Sequence, residues 1–433
     1  MSKTVDIHVH HITRVEGHGN IRLRAEDGKV LQCEWQVPEA PRFFEAMVLG
    51  RSYEDIQTIV SRICGICSVT HTFAAIKAIE DAMGITVSEQ CDKLRMLLHY
   101  SEQMESHSLH VGYLVAPDLL GVKSVVPLVA SHPEVVKKVI KLHRIGNQWM
   151  EAIGGRMTHP VTVKPGGFAS LPTEKYLREL KATLTECIPD LKAVAEVVLS
   201  LAGKLPAFER PTEYVALVDS PRAYSFYHGG IGTTDSDEIV RPQEFERVAN
   251  EYVSPQSTAK WCKWHRESYM VGALARFNLN AEQLLPLAAA TAKMFGLKKG
   301  CCNPYMNNVA QVVELVQVIE HSLQLIDELL TAGIKPELAK STPREGEGAG
   351  AVEAPRGILF HRYAFDKKGN CVKANCCIPT NQNHANIQKD FEALVPQFLG
   401  ESQDDIRLKM EMLVRAYDPC ISCSTHFLNV EFV

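Results

Sequence analysis

Hydrophobic and polar positions follow two different periods along this chain. From Ile21 to Trp35, apolar and polar residues alternate on both sides of Asp27-Gly28, a dipeptide that favours a two-residue hairpin turn. Beyond about residue 50, apolar residues recur every three or four positions, as on one face of a helix. Long helices are predicted over about 89–116, 133–153, 173–202 and 307–332. The pattern indicates a mainly α protein with small β elements (α+β), built around a bundle of long helices.

Glycine and proline interrupt this pattern most densely at residues 341–357, STPREGEGAGAVEAPRG, which we predict to be a linker. We expect residues 1–433 to form a single intertwined domain with three parts. These are a β-rich part over 1–50, a helical body over 51–340 and a C-terminal part over 341–433.

Composition and charge argue against a nucleic-acid partner, a membrane span and secretion. Hydrophobic residues make up 45% of the chain, and the formal net charge is −5. No basic stripe with interleaved aromatic residues is present, so we expect no nucleic-acid partner. No apolar run approaches the length of a membrane span, and MSKTVDIHVHH lacks the apolar core of a signal peptide. We therefore expect a cytoplasmic protein with no transmembrane segment.

Two similar cysteine motifs stand near opposite ends of the chain. RICGICSVTH (62–71) contains Cys64 and Cys67, and DPCISCSTH (418–426) contains Cys420 and Cys423. Two C-x-x-C pairs suit a structural zinc site, although zinc ribbons usually separate their pairs by roughly 15–20 residues. A redox disulfide at either pair is another interpretation. The third is one soft-metal centre that joins the chain ends, since thiolates also select nickel and iron.

Further motifs carry a family resemblance. In order they are RVEGHGN (14–20), RFFEAMVLGR (42–51), LHVGYLVAPDLL (109–120), EAPRGILFH (353–361) and CIPTNQN (377–383). Together with the two cysteine motifs, this set resembles the large subunit of nickel–iron hydrogenases nearly from end to end. The resemblance implies that the C-terminal part returns to a metal site, and that the chain catalyses reversible heterolytic cleavage of dihydrogen.

The resemblance also implies the ligands of the metals. All four cysteines would bind nickel, and Cys67 and Cys423 would also bind an iron that carries carbonyl and cyanide ligands. Four thiolates, two cyanides and two divalent metals carry a net charge of −2, so burial of the centre requires a cation and hydrogen-bond donors.

Other matching positions have implied roles around these metals. Glu16 would take the proton from Cys420, and Arg356 would supply the cation. Thr380 would donate to a cyanide, and Pro355 would pack against the carbonyl. Asp118 and Asp418 are expected to orient Arg356.

Two histidines follow the cysteine motifs. His71 is expected to form a hydrogen bond with the sulfur of Cys67 or Cys423, the two cysteines that would bridge nickel and iron. The resemblance implies that His426 binds a magnesium or iron(II) ion together with Glu45. Family precursors are commonly cleaved after the residue that matches His426. We expect the seven apolar-rich residues beyond it to be retained as an edge strand in a mature subunit; the alternative is an unprocessed precursor with an incomplete or absent nickel site.

Electrons need a separate carrier, because the remaining cysteines lack iron–sulfur spacing. The resemblance implies an iron–sulfur small subunit, together with further flavin, heterodisulfide-reductase-like or NAD(P)-linked electron-transfer subunits. It is strongest to the cytoplasmic branch, which includes deazaflavin-coenzyme enzymes. A hydrogen sensor and a silent complex-I-like relative are alternatives, although that silent relative lacks the cysteine set.

Overall fold

The computed structural model describes residues 4–425. Its strands are β1 (Thr4–Val9), β2 (Asn20–Glu26), β3 (Lys29–Gln36), β4 (Val163–Lys164), β5 (Gly167–Phe168), β6 (Glu213–Val218), β7 (Gly230–Thr233), β8 (Asn250–Ser254), β9 (Ser257–Lys263), β10 (Tyr269–Met270), β11 (Gly346–Ala354), β12 (Gly357–Phe365) and β13 (Cys371–Cys377). They form three-stranded sheets in the orders β1-β2-β3, β10-β6-β7 and β11-β12-β13, with β4-β5 and β8-β9 as two-stranded ribbons.

Helices make up the rest of the framework. They are α1 (Phe44–Val48), α2 (Ile56–Val60), α3 (Ser68–Met83), α4 (Glu89–Leu109), α5 (Ala116–Leu119), α6 (Val126–Ser131), α7 (Pro133–Gly154), α8 (Glu174–Ala202), α9 (Ala273–Asn280), α10 (Pro286–Met294), α11 (Asn307–Ala332), α12 (Pro379–Phe398), α13 (Gln403–Ala416) and α14 (Ile421–Ser424). Small sheets beside long helices confirm the predicted mainly α, α+β class.

The hairpin forms where the alternation predicts it. β2 and β3 pair antiparallel, with Glu26 opposite Lys29. Asp27 and Gly28 between them have φ values of 48° and 77°. Two consecutive positive φ values are typical of the turn that matches the right-handed twist of paired strands.

The long helices also lie close to their predicted bounds. α4 begins after Ser88, whose hydroxyl accepts the backbone N–H of Cys91 at 3.1 Å. The chain then stays helical past residue 116, through a π-helical turn (His110–Val115) and α5. Pro117 is the second residue of α5, directly after the π-helical turn, so the proline lies where the hydrogen-bond pattern of the helix changes.

Helices α4, α7, α8 and α11 pack on one another as the bundle core. Within residues 4–425, the helical stretch Pro304–Ala332 is the one segment long and apolar enough to cross a bilayer. In its most apolar window 72% of the residues are buried inside the protein, which is the character of a core helix.

The predicted linker at 341–357 is wrong over most of its length. Residues Gly346–Ala354 form β11, whose last seven residues are buried. Three alternating glycines of β11 face three alanines of α3. A Cβ at Gly350 would lie 2.2 Å from the carbonyl oxygen of Ala74. The glycines therefore allow close packing of the strand on the helix. A glycine-rich sequence fits a flexible linker and a close-packed strand equally well.

We expect Gly350→Ala to lower the free energy of unfolding by roughly 1–3 kcal/mol, because the added methyl group must displace the backbone of α3. Chemical denaturation would measure the loss. Gly203→Ala is the matched control: no atom lies within 4 Å of its added Cβ, so we expect a change within about 0.5 kcal/mol. Equal stability of the two variants would contradict tight packing at β11.

Both chain ends contribute to the same apolar core. Buried residues from β1–β3 and from α12–α14 belong to a single hydrophobic cluster. The indole N–H of Trp35 donates to Nδ1 of His384 at 2.9 Å, deep in the protein. The division of the chain near residues 50 and 340 stays a prediction. His426 and the expected edge strand beyond it lie outside the described residues.

Candidate metal centre

The N-terminal cysteine motif lies at the junction of two helical segments. A short 3₁₀ turn (Ser61–Ile63) ends at Cys64, which is extended, and Cys67 immediately precedes α3. This break in helical structure frees backbone groups, and the N–H of Cys67 donates to the sulfur of Cys64 at 3.1 Å. Both cysteines are buried, whereas Gly65 between them is exposed.

The C-terminal motif begins where α13 ends. Asp418 has a positive φ of 49°, which turns the chain sharply before Pro419. Cys420 follows, and its backbone N–H donates to the hydroxyl oxygen of Thr380, in the first turn of α12, at 2.9 Å. Cys423 lies within α14.

These two motifs meet in space although Cys64 and Cys420 are 356 residues apart in sequence. The sulfur atoms of Cys64, Cys67, Cys420 and Cys423 all lie within 4.8 Å of one another, and all four residues are buried. The Cys64 and Cys420 sulfurs are 3.6 Å apart, and those of Cys420 and Cys423 are in direct contact. Four converging sulfurs fit a centre of soft or borderline metal ions.

Glu16 borders this sulfur cluster. Its Oε2 atom accepts from the Cys420 sulfur and from the backbone N–H of Ser422, each at 3.1 Å. The chain at Glu16 also pairs in parallel with Cys420. Gly17 has a φ of 85°, and a Cβ there would lie 2.6 Å from the Ser422 nitrogen, so only glycine fits this approach.

Arg356 is a buried cation in the turn between β11 and β12. Its Nε donates to the carbonyl oxygen of Asp418 at 2.7 Å, and its Nη2 lies 2.9 Å from Oδ1 of the same residue. Burial lowers the pKa of Arg356, but the Asp418 carboxylate and the sulfurs of Cys67 and Cys64 raise it above its usual value. The guanidinium therefore stays charged.

One nitrogen of this guanidinium is left over. In the range 4–425, no hydrogen-bond partner reaches the buried Nη1 of Arg356. Buried donors are normally bonded, so a free donor on a guanidinium that interacts with Cys64 and Cys67 suits an additional acceptor in the centre. Burial raises the pKa of Cys64, but hydrogen bonds from Cys67 and the charge of Arg356 lower it overall.

We expected Asp118 to orient Arg356, but in the structure its carboxylate contacts other arginines. Its carboxylate bonds Nη1 of Arg415 at 2.9 and 3.0 Å, and it also bonds the guanidinium of Arg14. Arg415 in turn donates to the carbonyl oxygen of Thr13 at 3.0 Å. Asp118 therefore holds the loop before Glu16 against α13, and Asp418 alone of the two carboxylates contacts Arg356.

The remaining predicted positions lie as follows. His71 is fully buried, and its Nδ1 lies 3.1 Å from Nε2 of His361. Pro355 is buried in the β11–β12 turn, and its carbonyl oxygen accepts from Arg276 at 3.1 Å. The half-buried Glu45 carboxylate accepts the N–H of Cys376 at 2.7 Å. Burial, partly offset by the hydrogen bond from the Cys376 N–H, raises the pKa of Glu45 to about 7.

Sequence reasoning missed a buried ionic network behind the β11–β12 turn. Arg276 donates to both carboxylate oxygens of Glu314 at 2.6 Å and to Glu353 at 2.9 Å, and all three side chains are fully buried. Arg276 also bonds the carbonyl oxygens of Ala354 and Pro355, so it fixes the residues before Arg356. The sequence carries no clear signal for this network, since Glu314 lies on the side of α11 opposite the apolar stripe of Val309, Val312 and Val316.

A second cluster of possible metal ligands lies outside the four-cysteine site, and we assign no metal to it. Ligand atoms of Glu251, Cys262 and Cys377 lie within 4.8 Å of one another. The Asn381 amide nitrogen stands among them, 3.0 Å from Glu251, 3.3 Å from Cys262 and 3.7 Å from Cys377. This amide has two N–H donors, which it shares among the three acceptors.

Comparison with known proteins adds to this geometry. The family model described as nickel-dependent hydrogenase matches residues 42–187 and 217–426, and a model described as HoxL-like matches 6–40. The chain belongs to the nickel-dependent hydrogenases.

Individual relatives of this hydrogenase agree with the family model. The chain is 34% identical to the alpha subunit of sulfhydrogenase 2 from Pyrococcus furiosus, over 98% of this chain and 100% of that protein. It is 29% identical to the beta subunit of the NAD-reducing hydrogenase HoxS from Cupriavidus necator, over 96% of this chain and 94% of that protein. A crystal structure of NAD+-reducing [NiFe]-hydrogenase in the H2-reduced state superposes with a TM-score of 0.88 at 26% identity, covering 97% and 99% of the two chains.

The predicted family and its function are therefore confirmed. This chain is the catalytic large subunit of a nickel–iron hydrogenase, an oxidoreductase that acts on dihydrogen. The structural zinc, sensor and complex-I-like interpretations are not favoured. A nickel–iron centre is the cofactor that the family implies, and the four converging sulfurs fit it.

Proposed function

We propose that Cys64, Cys67, Cys420 and Cys423 hold the nickel, and that Cys67 and Cys423 also hold an iron with carbonyl and cyanide ligands. When bound, this centre supplies the chemistry of reversible heterolytic dihydrogen cleavage. The observation that carries the proposal is the convergence of four buried sulfurs within 4.8 Å. The unbonded Nη1 of Arg356 supports it, because the centre brings acceptors that need donors, and the Thr380 hydroxyl, whose oxygen accepts from the Cys420 N–H, carries an O–H that can donate to the centre.

Glu16 acts as the proton carrier in this proposal. Its carboxylate lies at hydrogen-bonding distance, 3.1 Å, from the Cys420 sulfur, which suits direct proton transfer between them. Glu16 is also only partly buried. A group that contacts both the sulfur and the outside is what a proton exit requires.

Electrons leave, in this proposal, to an iron–sulfur small subunit, then to further flavin, heterodisulfide-reductase-like or NAD(P)-linked subunits. The loop at Gly65 reaches the surface next to Cys64 and Cys67. Nearby in sequence, Phe43, Met47 and Leu49 are each about half exposed, which favours a protein partner on this side. We propose that the complex is cytoplasmic.

Glu45 would bind a magnesium or iron(II) ion together with His426. A carboxylate oxygen suits a hard cation, and Glu45 lies beside β13 with one oxygen already held by the Cys376 N–H. His426 follows Thr425, whose carbonyl oxygen accepts the backbone N–H of Arg42 at 3.1 Å.

Metal analysis of the purified complex tests the central proposal. We expect one nickel and one iron in the active centre, carbonyl and cyanide stretches in the infrared spectrum, and dihydrogen-dependent viologen reduction. Zinc without nickel or iron would overturn it. Metals with normal infrared bands but very slow turnover would indicate a sensor.

We expect Arg356→Lys to lower dihydrogen oxidation roughly tenfold or more at unchanged nickel content. Lysine keeps the charge but lacks the fork that bonds the Asp418 carbonyl and carboxylate together. Viologen assays with matched metal analysis would measure this. Arg362→Lys, on the neighbouring strand β12 with a partly exposed pair to Glu347, is the control and should stay near full activity. Unchanged activity in Arg356→Lys would mean that only the positive charge of Arg356 matters and not the geometry of its guanidinium.

A further inference from the structure

Arg42 contacts both cysteine motifs with one side chain. Its Nη2 donates to the carbonyl oxygen of Ile63 at 2.6 Å, and its Nε donates to the carbonyl oxygen of Ser422 at 3.0 Å. Ile63 immediately precedes Cys64, and Ser422 immediately precedes Cys423. A single guanidinium thus spans two segments that lie about 360 residues apart in the chain.

The main chain of Arg42 adds a third link. Its backbone N–H donates to the carbonyl oxygen of Thr425 at 3.1 Å, and its guanidinium lies 5.2 Å from the ring centre of Phe44. The Phe44 contact orients the side chain, since cations favour the face of an aromatic ring. Three residues on, Glu45 bonds Cys376, which anchors the same segment to β13.

The two motifs also contact each other directly through sulfur atoms. The Ile63 carbonyl lies 3.9 Å from the Cys423 sulfur, and the two sulfurs of Cys64 and Cys420 are 3.6 Å apart. Both sulfur contacts are longer than the hydrogen bonds of 2.6 and 3.0 Å that Arg42 donates, so they fix the two backbones less firmly. The carbonyl dipoles that Arg42 bonds belong to those backbones.

We propose that Arg42 is a positioning residue that closes the C-terminal cysteine motif onto the N-terminal one, so that four sulfurs reach one centre. The inference rests on the proposed function, because the motifs need a shared position only if they share metals. A guanidinium suits the task because its planar fork carries two donors in fixed directions, whereas an ammonium group is a compact point charge.

Cross-linking in the metal-free full-length chain tests this role. In a Cys67→Ser/Cys423→Ser background, Cys64 and Cys420 retain sulfurs that are 3.6 Å apart, and diamide should oxidise them to a disulfide. We expect Arg42→Gln to slow this cross-link by roughly tenfold or more, because two charge-assisted hydrogen bonds are lost. Peptide mass spectrometry would follow the cross-linked fraction with time.

Arg51→Gln is the matched control, since Arg51 ends the same sequence motif, is exposed, and should cross-link at the parent rate. Arg42→Lys, which keeps the charge, should fall between the parent and Arg42→Gln, and it decides the matter if Arg42→Gln does not fold. Cross-linking of both Arg42 variants at the parent rate, or a parent that does not cross-link, would overturn the proposal. Nickel content is measured separately in the matured chain that keeps all four cysteines. If the Cys67→Ser/Cys423→Ser parent cross-links but the four-cysteine chain never binds nickel, the proposed function is contradicted and the positioning of the motifs is left intact.

Discussion

Glu16→Gln should slow dihydrogen oxidation by roughly 10²–10⁴-fold while nickel and iron content stay normal. Glutamine has nearly the same shape and still accepts the N–H of Ser422, so the loop should keep its place. It does not gain and lose a proton near neutral pH, however, so it interrupts transfer from the Cys420 sulfur. Viologen reduction and the exchange of deuterium gas with water protons would both report the loss.

A nearby carboxylate provides the control for this experiment. Glu39 accepts the backbone N–H of His18 at 3.0 Å through one carboxylate oxygen. Glu39→Gln therefore repeats the change of charge in the same N-terminal part of the chain, and we expect activity close to that of the parent. Parent-like turnover in Glu16→Gln would remove Glu16 from the proton path.

Local patterns predicted much of the fold. The hairpin at Asp27-Gly28 and the start of α4 after Ser88 depend on residues within a few positions, so the sequence carries their signals directly. We did not predict β11 because its glycines are explained by close contact with α3, a helix more than 260 residues away in the sequence. Glycine-rich composition alone does not separate a flexible linker from a close-packed strand.

The candidate site divides in the same way. Its cysteines and Glu16 stand in motifs that are visible in the sequence, and the fold brings them together. The partner of Asp118 could not be predicted, because its choice between Arg356 and Arg415 depends on how α13 packs. The same holds for the pairing of Arg276 with Glu314 and Glu353, which joins three distant segments in the interior.

Buried ion pairs of this kind are weak sources of stability, because desolvation offsets much of their attraction. Their position suggests what they contribute instead. Arg276 bonds the carbonyl oxygens of Ala354 and Pro355, directly before Arg356, and Asp418 bonds Arg356 from the other side. The network therefore fixes the direction of Arg356, which is the kind of support that a reactive centre needs from its surroundings.

Cys420→Ser should abolish stable nickel binding and lower dihydrogen oxidation by at least roughly 10³-fold, more than the 10–100-fold typical of changes to residues behind the ligands. Serine is nearly isosteric with cysteine, but its hydroxyl is a hard donor that stays protonated near neutral pH, so a soft metal loses one of four thiolates. The substitution also removes the sulfur that Glu16 contacts at 3.1 Å, so binding and proton transfer fail together. Metal analysis, the infrared spectrum and viologen reduction on one preparation would measure the loss of nickel, of the intact centre and of activity.

Cys302→Ser is the matched control, because Cys302 is a partly exposed free cysteine outside the cluster and its loss should change neither nickel content nor activity. Full nickel content with parent-like turnover in Cys420→Ser would contradict the assignment of Cys420 as a ligand, and with it the four-thiolate centre.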